Sequence, residues 1–509
     1  MARAGGMQEV ELLDGDEPGI EAGLEPGSEQ PEAPVRGRRG LRWVVAGGVA
    51  VALSLAGTQW VVDARENAAI ARLSEVPGVV PAFGDELTVA RALPPGEVSS
   101  LWSGIESVGG ATASLVVAED GSQAFAAVDQ RTGETVWSTP LLGPNVERAA
   151  SRESAYGGGC QSDARPHEVA TVAVCLVTDG FTRYAADDGT DERVPATTTR
   201  AVVLDPTDGR VISDRAVDSA AQLAVLPGLV LVGIRDAQRI EIVAYDLRTG
   251  DERWRHEEPR EDTHGAEEAS LYWGIFRAGD VVAFSLGEGG GLGLLSSTGE
   301  SVRDDLRPAP GNGGYGVDPT TGNLVVFDYG VDGTQATTLL AADADPADDV
   351  VLEGGAMDLT VDDGSVPGLV LTSRERVHGW DRRTGDHRWE SDVQSTGFAL
   401  LVRGRVYLTT ASGLAALDGR TGEVVWQREV PVAAVGSLAT DGRDLLMSST
   451  SGDAALGSDG VRGGMTGYDL ATGEQTRHVP YPEGVGDVMM HRGLLLGWSP
   501  ESEEVMRLE

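Results

Sequence analysis

The most regular hydrophobic signal along the chain is a two-residue alternation in short runs, such as AFAAVD ending at Asp129 and EIVAYD ending at Asp246. That period places apolar side chains on one face of a β-strand. Between Gly397 and Val430 the runs GFALLVRG, RVYLTTASG, GLAALD and EVVWQREV predict four consecutive short strands. Such groups recur at a spacing of roughly 40 to 50 residues, the spacing of propeller blades. One segment departs from the pattern. WVVAGGVAVALSLAGTQWVV, from Trp43 to Val62, is twenty residues without a formal charge, and at ~1.5 Å per residue a helix of that length matches a bilayer core of ~30 Å.

The strands are joined by a repeated turn. DQRTGETVW at Asp129 to Trp137 returns as DLRTGDERW at Asp246 to Trp254, DRRTGDHRW at Asp381 to Trp389 and DGRTGEVVW at Asp418 to Trp426. Weaker copies begin at Asp205, Asp318 and Asp469, and a more worn one, LSSTGESVR, at Leu295. As a hairpin turn each residue type has a mechanical reason. The Asp carboxylate accepts backbone N–H bonds, Thr adds a local bond, and Gly133, Gly250, Gly385 and Gly422 supply the positive φ that closes the turn. Trp137, Trp254, Trp389 and Trp426, four residues past those glycines, are apolar plates suited to packing between neighbouring sheets.

The ALDxxTGxxxW unit, here AALDGRTGEVVW, resembles the repeat of PQQ-binding-like propellers, a family that includes quinoprotein alcohol dehydrogenases and the BamB lipoprotein. The resemblance covers roughly Ser99 to Glu509. It implies an all-β propeller of seven or eight blades with tryptophans docking adjacent blades. Literal counting gives nine units, so one degenerate unit between Leu271 and Leu352 is expected not to be a blade. The expectation is about eight four-stranded blades, with seven and nine as alternatives, preceded by one transmembrane helix. The strand SLWSGI, Ser100 to Ile105, is expected to complete the last blade.

The domain boundaries follow. Residues 1–35 form an acidic tail with no apolar period, expected to be disordered and cytoplasmic. Residues 36–62 carry Arg36, Arg38, Arg39 and Arg42 and then the span, flanked by Trp43 and Trp60. Arginines on the N-terminal side alone orient the tail inward. A cleaved signal peptide is the rival reading, disfavoured by the long charged lead and the lack of a small-residue cleavage site. Residues 63–97 are expected to be a linker and 98–509 the propeller, placed outside the cytoplasm by a single-pass anchor in the cell membrane.

Composition refines the picture. The formal net charge is -40, which repels nucleic-acid phosphates and anionic lipid headgroups and selects a basic partner. The two cysteines, Cys160 and Cys175, are spaced for two paired strands, and an oxidising compartment favours a disulfide over two buried thiols. The resemblance implies that a PQQ enzyme of this family would carry an adjacent cysteine pair, a catalytic aspartate, and Glu and Asn calcium ligands. The cysteines are not adjacent, and only Asn67, Asn145, Asn312 and Asn323 are present.

No HExxH, GxSxG or P-loop appears, and His378 and His387 flank one hairpin on different strands. GEGGGLG at Gly287 to Gly293 reads as a blade turn, and the acidic runs at Asp187 to Glu192 and Asp343 to Asp349 read as solvated loops. The expectation is a binding scaffold in the cell envelope, contacting a basic protein or a small ligand, with no catalytic or metal residue, no predicted cofactor, and cofactor-binding residues unknown. The alternatives are a divergent oxidoreductase using PQQ and calcium, and a sensor passing an external signal to the cytoplasmic tail.

Overall fold

A computed structural model describes residues 68–509 apart from short stretches; the longest of these are 184–191, 260–272, 286–290, 307–312, 431–436 and 450–462, the others being one to four residues each. The acidic tail, the arginine cluster and the expected span at Trp43–Val62 lie outside the described residues. Among the described residues, no helix is long and apolar enough to cross a membrane.

Residues Asn67–Glu509 form one compact unit. Eight four-stranded sheets and one five-stranded sheet are the blades of a nine-bladed β-propeller. In chain order they occupy 105–142, 159–216, 222–259, 275–306, 314–353, 355–391, 395–429, 438–480 and 487–508, numbered here blades 1 to 9. A further three-stranded sheet, built on Ser154–Tyr156, Phe181–Arg183 and Glu192–Val194, is an excursion from blade 2.

The strands form because their alternating apolar side chains are buried between blades. Most of the hydrophobic clusters join two neighbours: Phe125, Ala127, Val202 and Leu204 lie between blades 1 and 2, Leu231, Ile242, Val282 and Leu295 between 3 and 4, and Leu371, Trp389, Leu401 and Leu417 between 6 and 7. The core is therefore a ring of interfaces between sheets, each burying both faces of the middle strands.

The expected eight blades become nine because both degenerate units between Leu271 and Leu352 are blades. Blade 4 keeps its buried strands, Val281–Ser285 and Leu292–Leu295, while its turn sequence is worn. In blade 5 the Asp318 copy sits on the first hairpin, between Gly314–Val317 and Leu324–Tyr329, whereas the other copies join the third strand to the fourth. The acidic run at Asp343 to Asp349 takes over that outer turn, where Asp345 caps a short 3-10 turn and Asp349 pairs with Arg303 of blade 4.

The closing strand also differs from expectation. Val89–Leu93 pairs antiparallel with the C-terminal strand Val505–Leu508 and forms the outer edge of blade 9. Ile105–Glu106 is instead the inner edge of blade 1. The segment expected as a linker is thus packed over its described part. Leu73 and Val79 join the cluster between blades 7 and 8, and Val80 and Leu87 the one between blades 8 and 9. Blade 7 gains a strand unforeseen in the sequence, Leu359–Asp362, which runs parallel to Ser395–Val402 on its inner edge.

Candidate functional site

The repeat residues assemble into a belt of turns at one end of the ring. In blade 3 the Arg248 and Thr249 backbone N–H groups donate to Asp246 Oδ1, both at 2.9 Å. In blade 6 Arg383 and Thr384 donate to Asp381 at 3.0 and 3.1 Å; in blade 7 Arg420 and Thr421 donate to Asp418 at 2.9 and 3.1 Å. Thr132 donates to Asp129 in blade 1 at 3.0 Å. Each Thr hydroxyl oxygen accepts the N–H two residues on, as Glu423 donates to Thr421 at 3.3 Å. Two of the carboxyls, those of Asp246 and Asp381, lie well below the ordinary carboxylate value. Arg388, then the Thr384 N–H, lowers the Asp381 carboxyl to about 2, and Arg253 lowers Asp246 further still.

The tryptophans lie on the next blade's turn. Trp389 of blade 6 packs on Gly422 of blade 7 and donates its indole N–H to the Gly419 carbonyl at 3.0 Å. Trp426 does the same on Gly473, donating to Leu470 at 3.2 Å, and Trp254 on Gly299, donating to Ser297 at 2.9 Å. Trp137 packs on Gly209. At two interfaces without the tryptophan an arginine lies on the neighbouring turn, and at a third Val350 of blade 5 meets Gly385 of blade 6. Arg215 of blade 2 reaches the Gly250 carbonyl of blade 3 and lies 4.0 Å over the Tyr245 ring, and Arg91 of the closing strand meets Gly133.

Two polar crevices open between these turns. One, of about 430 Å3, lies between blades 5 and 6 and is lined by Asp318, Asn323, Arg382 and Thr384, with Arg382 paired to Asp318. The other, about 580 Å3, lies between blades 2 and 3 beside Asp163, Asp205 and Asp246. The loop carrying Asp163 reaches beyond it to blade 4, where Arg165 pairs with Asp280 and Arg277 donates to the Asp163 carbonyl at 2.5 Å.

Cys160 and Cys175 are paired across adjacent strands of blade 2 as a disulfide. Both belong to the core between blades 1 and 2. A disulfide within that core is not the adjacent pair that the PQQ resemblance asks for. Of the asparagines, Asn145 and Asn323 spend their side-chain amides on the carbonyls of Asp179 and Leu340, at 3.1 and 3.2 Å. Among the described residues the adjacent cysteine pair of the PQQ resemblance is not formed, because the two cysteines sit on neighbouring strands.

The structure does bring together two histidines that the sequence reading set aside. His378 and His387 lie on different strands, as expected, but these are neighbours, Val377–Asp381 and His387–Ser391. Nδ1 of His378 is 3.3 Å from Nε2 of His387. Ligand atoms of His378, His387 and Glu390 all lie within 4.8 Å of one another. The signal that finds them is a bulge between Gly379 and Trp380, which turns His387 onto the face of Glu390.

A nine-membered ring of blades, eight four-stranded and one five-stranded, pinned by tryptophans on TG turns, defines a propeller of the PQQ-like class. Family comparison makes this specific: the family described as outer membrane protein assembly factor BamB matches residues 123–328 and 316–492, and the chain belongs to it. A curated relative, 1-butanol dehydrogenase (quinone) of Thauera butanivorans, is 26% identical over 211 residues, covering 35% of this chain and 32% of that protein. The chain thus spans about a third of that relative's length. Among solved structures, BamB from Moraxella catarrhalis is similar at 15% identity and a TM-score of 0.32, covering 61% of this chain and 88% of that one. The computationally designed Ika8 protein is similar at 12% identity and a TM-score of 0.29, covering 85% and 99%.

Proposed function

We propose that this protein is an interaction scaffold of the cell envelope, tethered by Trp43–Val62 with residues 1–35 in the cytoplasm, whose propeller binds a basic protein partner. The observation that carries this reading is the assignment of the repeat side chains. Aspartates close turns and tryptophans dock blades, so the ring is stiff and its recurring polar groups are already engaged. Membership of the BamB family supports a role in protein assembly, and the disulfide of blade 2 suits an oxidising compartment. A net charge of -40 steers basic partners over a range set by salt.

Photo-crosslinkers at the exposed Val136 and Val351, 60% and 66% accessible, test the reading in intact cells. The same envelope protein should be captured, and the purified pair should bind more weakly as salt rises. A second reading, quinone-dependent alcohol oxidation, rests on the 211-residue similarity to the butanol dehydrogenase. Alcohol-dependent dye reduction by the purified chain with PQQ and calcium would establish that reading and overturn the scaffold.

A further inference from the structure

We propose that His378, His387 and Glu390 form a binding site for a divalent metal ion of the zinc type on the outer hairpin of blade 6. The nitrogens are spaced for it. With Zn–N bonds of ~2.05 Å and a tetrahedral angle, two imidazole ligands sit ~3.3 Å apart, and Nδ1 of His378 lies 3.3 Å from Nε2 of His387. A carboxylate oxygen of Glu390 within 4.8 Å of both supplies the third ligand after a small side-chain adjustment. Two imidazoles and one carboxylate suit zinc, with copper or nickel as chemical relatives, better than calcium or magnesium, which take oxygen ligands.

The surroundings position the rings. Trp380 stands edge-on to His387, centroids 4.8 Å apart, and lies nearly parallel to His378 at 5.9 Å. Its indole N–H is fixed by Thr372 Oγ1 at 2.8 Å, which in turn donates to the Glu353 carbonyl at 2.6 Å. Outer contacts of this kind hold ligand orientation in metal sites. The competitor is Arg376, which pairs with Glu390. Arg376 is 54% exposed and also lies 3.2 Å from Asp392, so it can give up Glu390 and keep an acidic neighbour at the small cost of an exposed ion pair.

Titration calorimetry of the purified full-length chain with zinc chloride tests the site. One ion per chain should bind, and His378→Asn or His387→Asn should weaken it by about tenfold or more. Glu390→Gln should weaken it less, and His256→Gln, on blade 3, should change nothing. Arg376→Met should tighten binding by freeing the carboxylate, a gain that damaged folding cannot imitate. Zinc should raise the melting temperature of the parent and not of His387→Asn, and EDTA should reverse the rise. Absence of binding by the parent, binding by both histidine variants as tight as the parent's, or weaker binding by Arg376→Met would overturn the proposal.

Discussion

Docking of tryptophan on glycine makes a sharp energetic prediction at Trp389 and Gly422. A Cβ at Gly422 would lie 2.5 Å from Trp389 Cε3 and 2.8 Å from Cδ2, and the residue has φ +72°. Gly422→Ala therefore meets two penalties. Left-handed backbone costs ~1–2 kcal/mol for an L-residue, and overpacking against a fixed ring adds ~1–3 kcal/mol. Gly364 separates the two, since it has φ +70° with nothing within 4 Å of its Cβ position; Gly364→Ala should cost only the ~1–2 kcal/mol of strain. Trp389→Ala removes a ring that is 5% exposed and should cost ~3–5 kcal/mol by itself. Once the ring is gone, Gly422→Ala should cost no more than Gly364→Ala, so the double variant falls short of additivity by ~1–3 kcal/mol. Urea unfolding followed by circular dichroism, with the midpoint and its slope measured for all five proteins, provides the cycle. Strict additivity, or equal costs for Gly422→Ala and Gly364→Ala, would refute the argument that these tryptophans require glycine opposite them.

Three further outcomes follow from the same geometry. The Cys160–Cys175 bridge closes a 15-residue separation, so reduction or the paired Cys160→Ala/Cys175→Ala variant should lower stability by ~3 kcal/mol, read as a fall in unfolding midpoint; an unchanged midpoint counts against the bridge. Arg477 reaches Asp441 at 2.5 Å and Asp444 at 3.2 Å, with side chains 2% and 6% exposed, and donates to the Phe83 carbonyl at 2.6 Å. Arg477→Met should cost ~3–5 kcal/mol by leaving buried carboxylates unpaired and should speed hydrogen exchange in the packed segment around Val80; unchanged exchange there would show that the arginine does not hold that segment. Asp381 has its carboxyl lowered from 3.8 to about 2, so its stabilising contribution is present above the unfolded value and is lost as pH falls through about 2. Carboxyl NMR should show that low midpoint and its rise in Arg388→Met, whereas an ordinary midpoint in the parent would remove the ion pair from the account.

What was legible in the sequence was local. The Asp–Thr–Gly turn closes through bonds spanning two or three residues, so its chemistry can be read from a nine-residue string. Ring closure could not be read that way. Val89–Leu93 is a five-residue strand whose partner lies at the far end of the chain, and nothing in VARAL distinguishes it from a linker. Blade 5 misled for another reason: its turn motif moved from the outer hairpin to the inner one, while the acidic run at Asp343 to Asp349 took the vacated place. The disulfide was legible because two cysteines with this spacing meet directly across one strand pair.

The histidine pair shows how a hidden register converts a structural repeat into a site. In blades 1, 2, 3, 6, 7 and 8 the hairpin before each repeat aspartate carries the same bulge, between its second and first preceding residues. The bulge fixes which positions face each other. The residue three before the aspartate opposes the one nine after it, and the residue immediately before opposes the one six after. Positions three before, six after and nine after therefore share one face. They are Ala126, Thr135 and Ser138 in blade 1, Val243, Glu252 and Arg255 in blade 3, and Ala415, Val424 and Gln427 in blade 7. In blade 8 Thr466 and His478 occupy the first and last and meet at 2.9 Å; in blade 3 Glu252 and Arg255 pair at 3.0 Å. Blade 6 alone of the six places His378, His387 and Glu390 there. A motif that closes turns and docks sheets thus also dictates which three side chains converge, and in blade 6 those positions hold the residues of the proposed site.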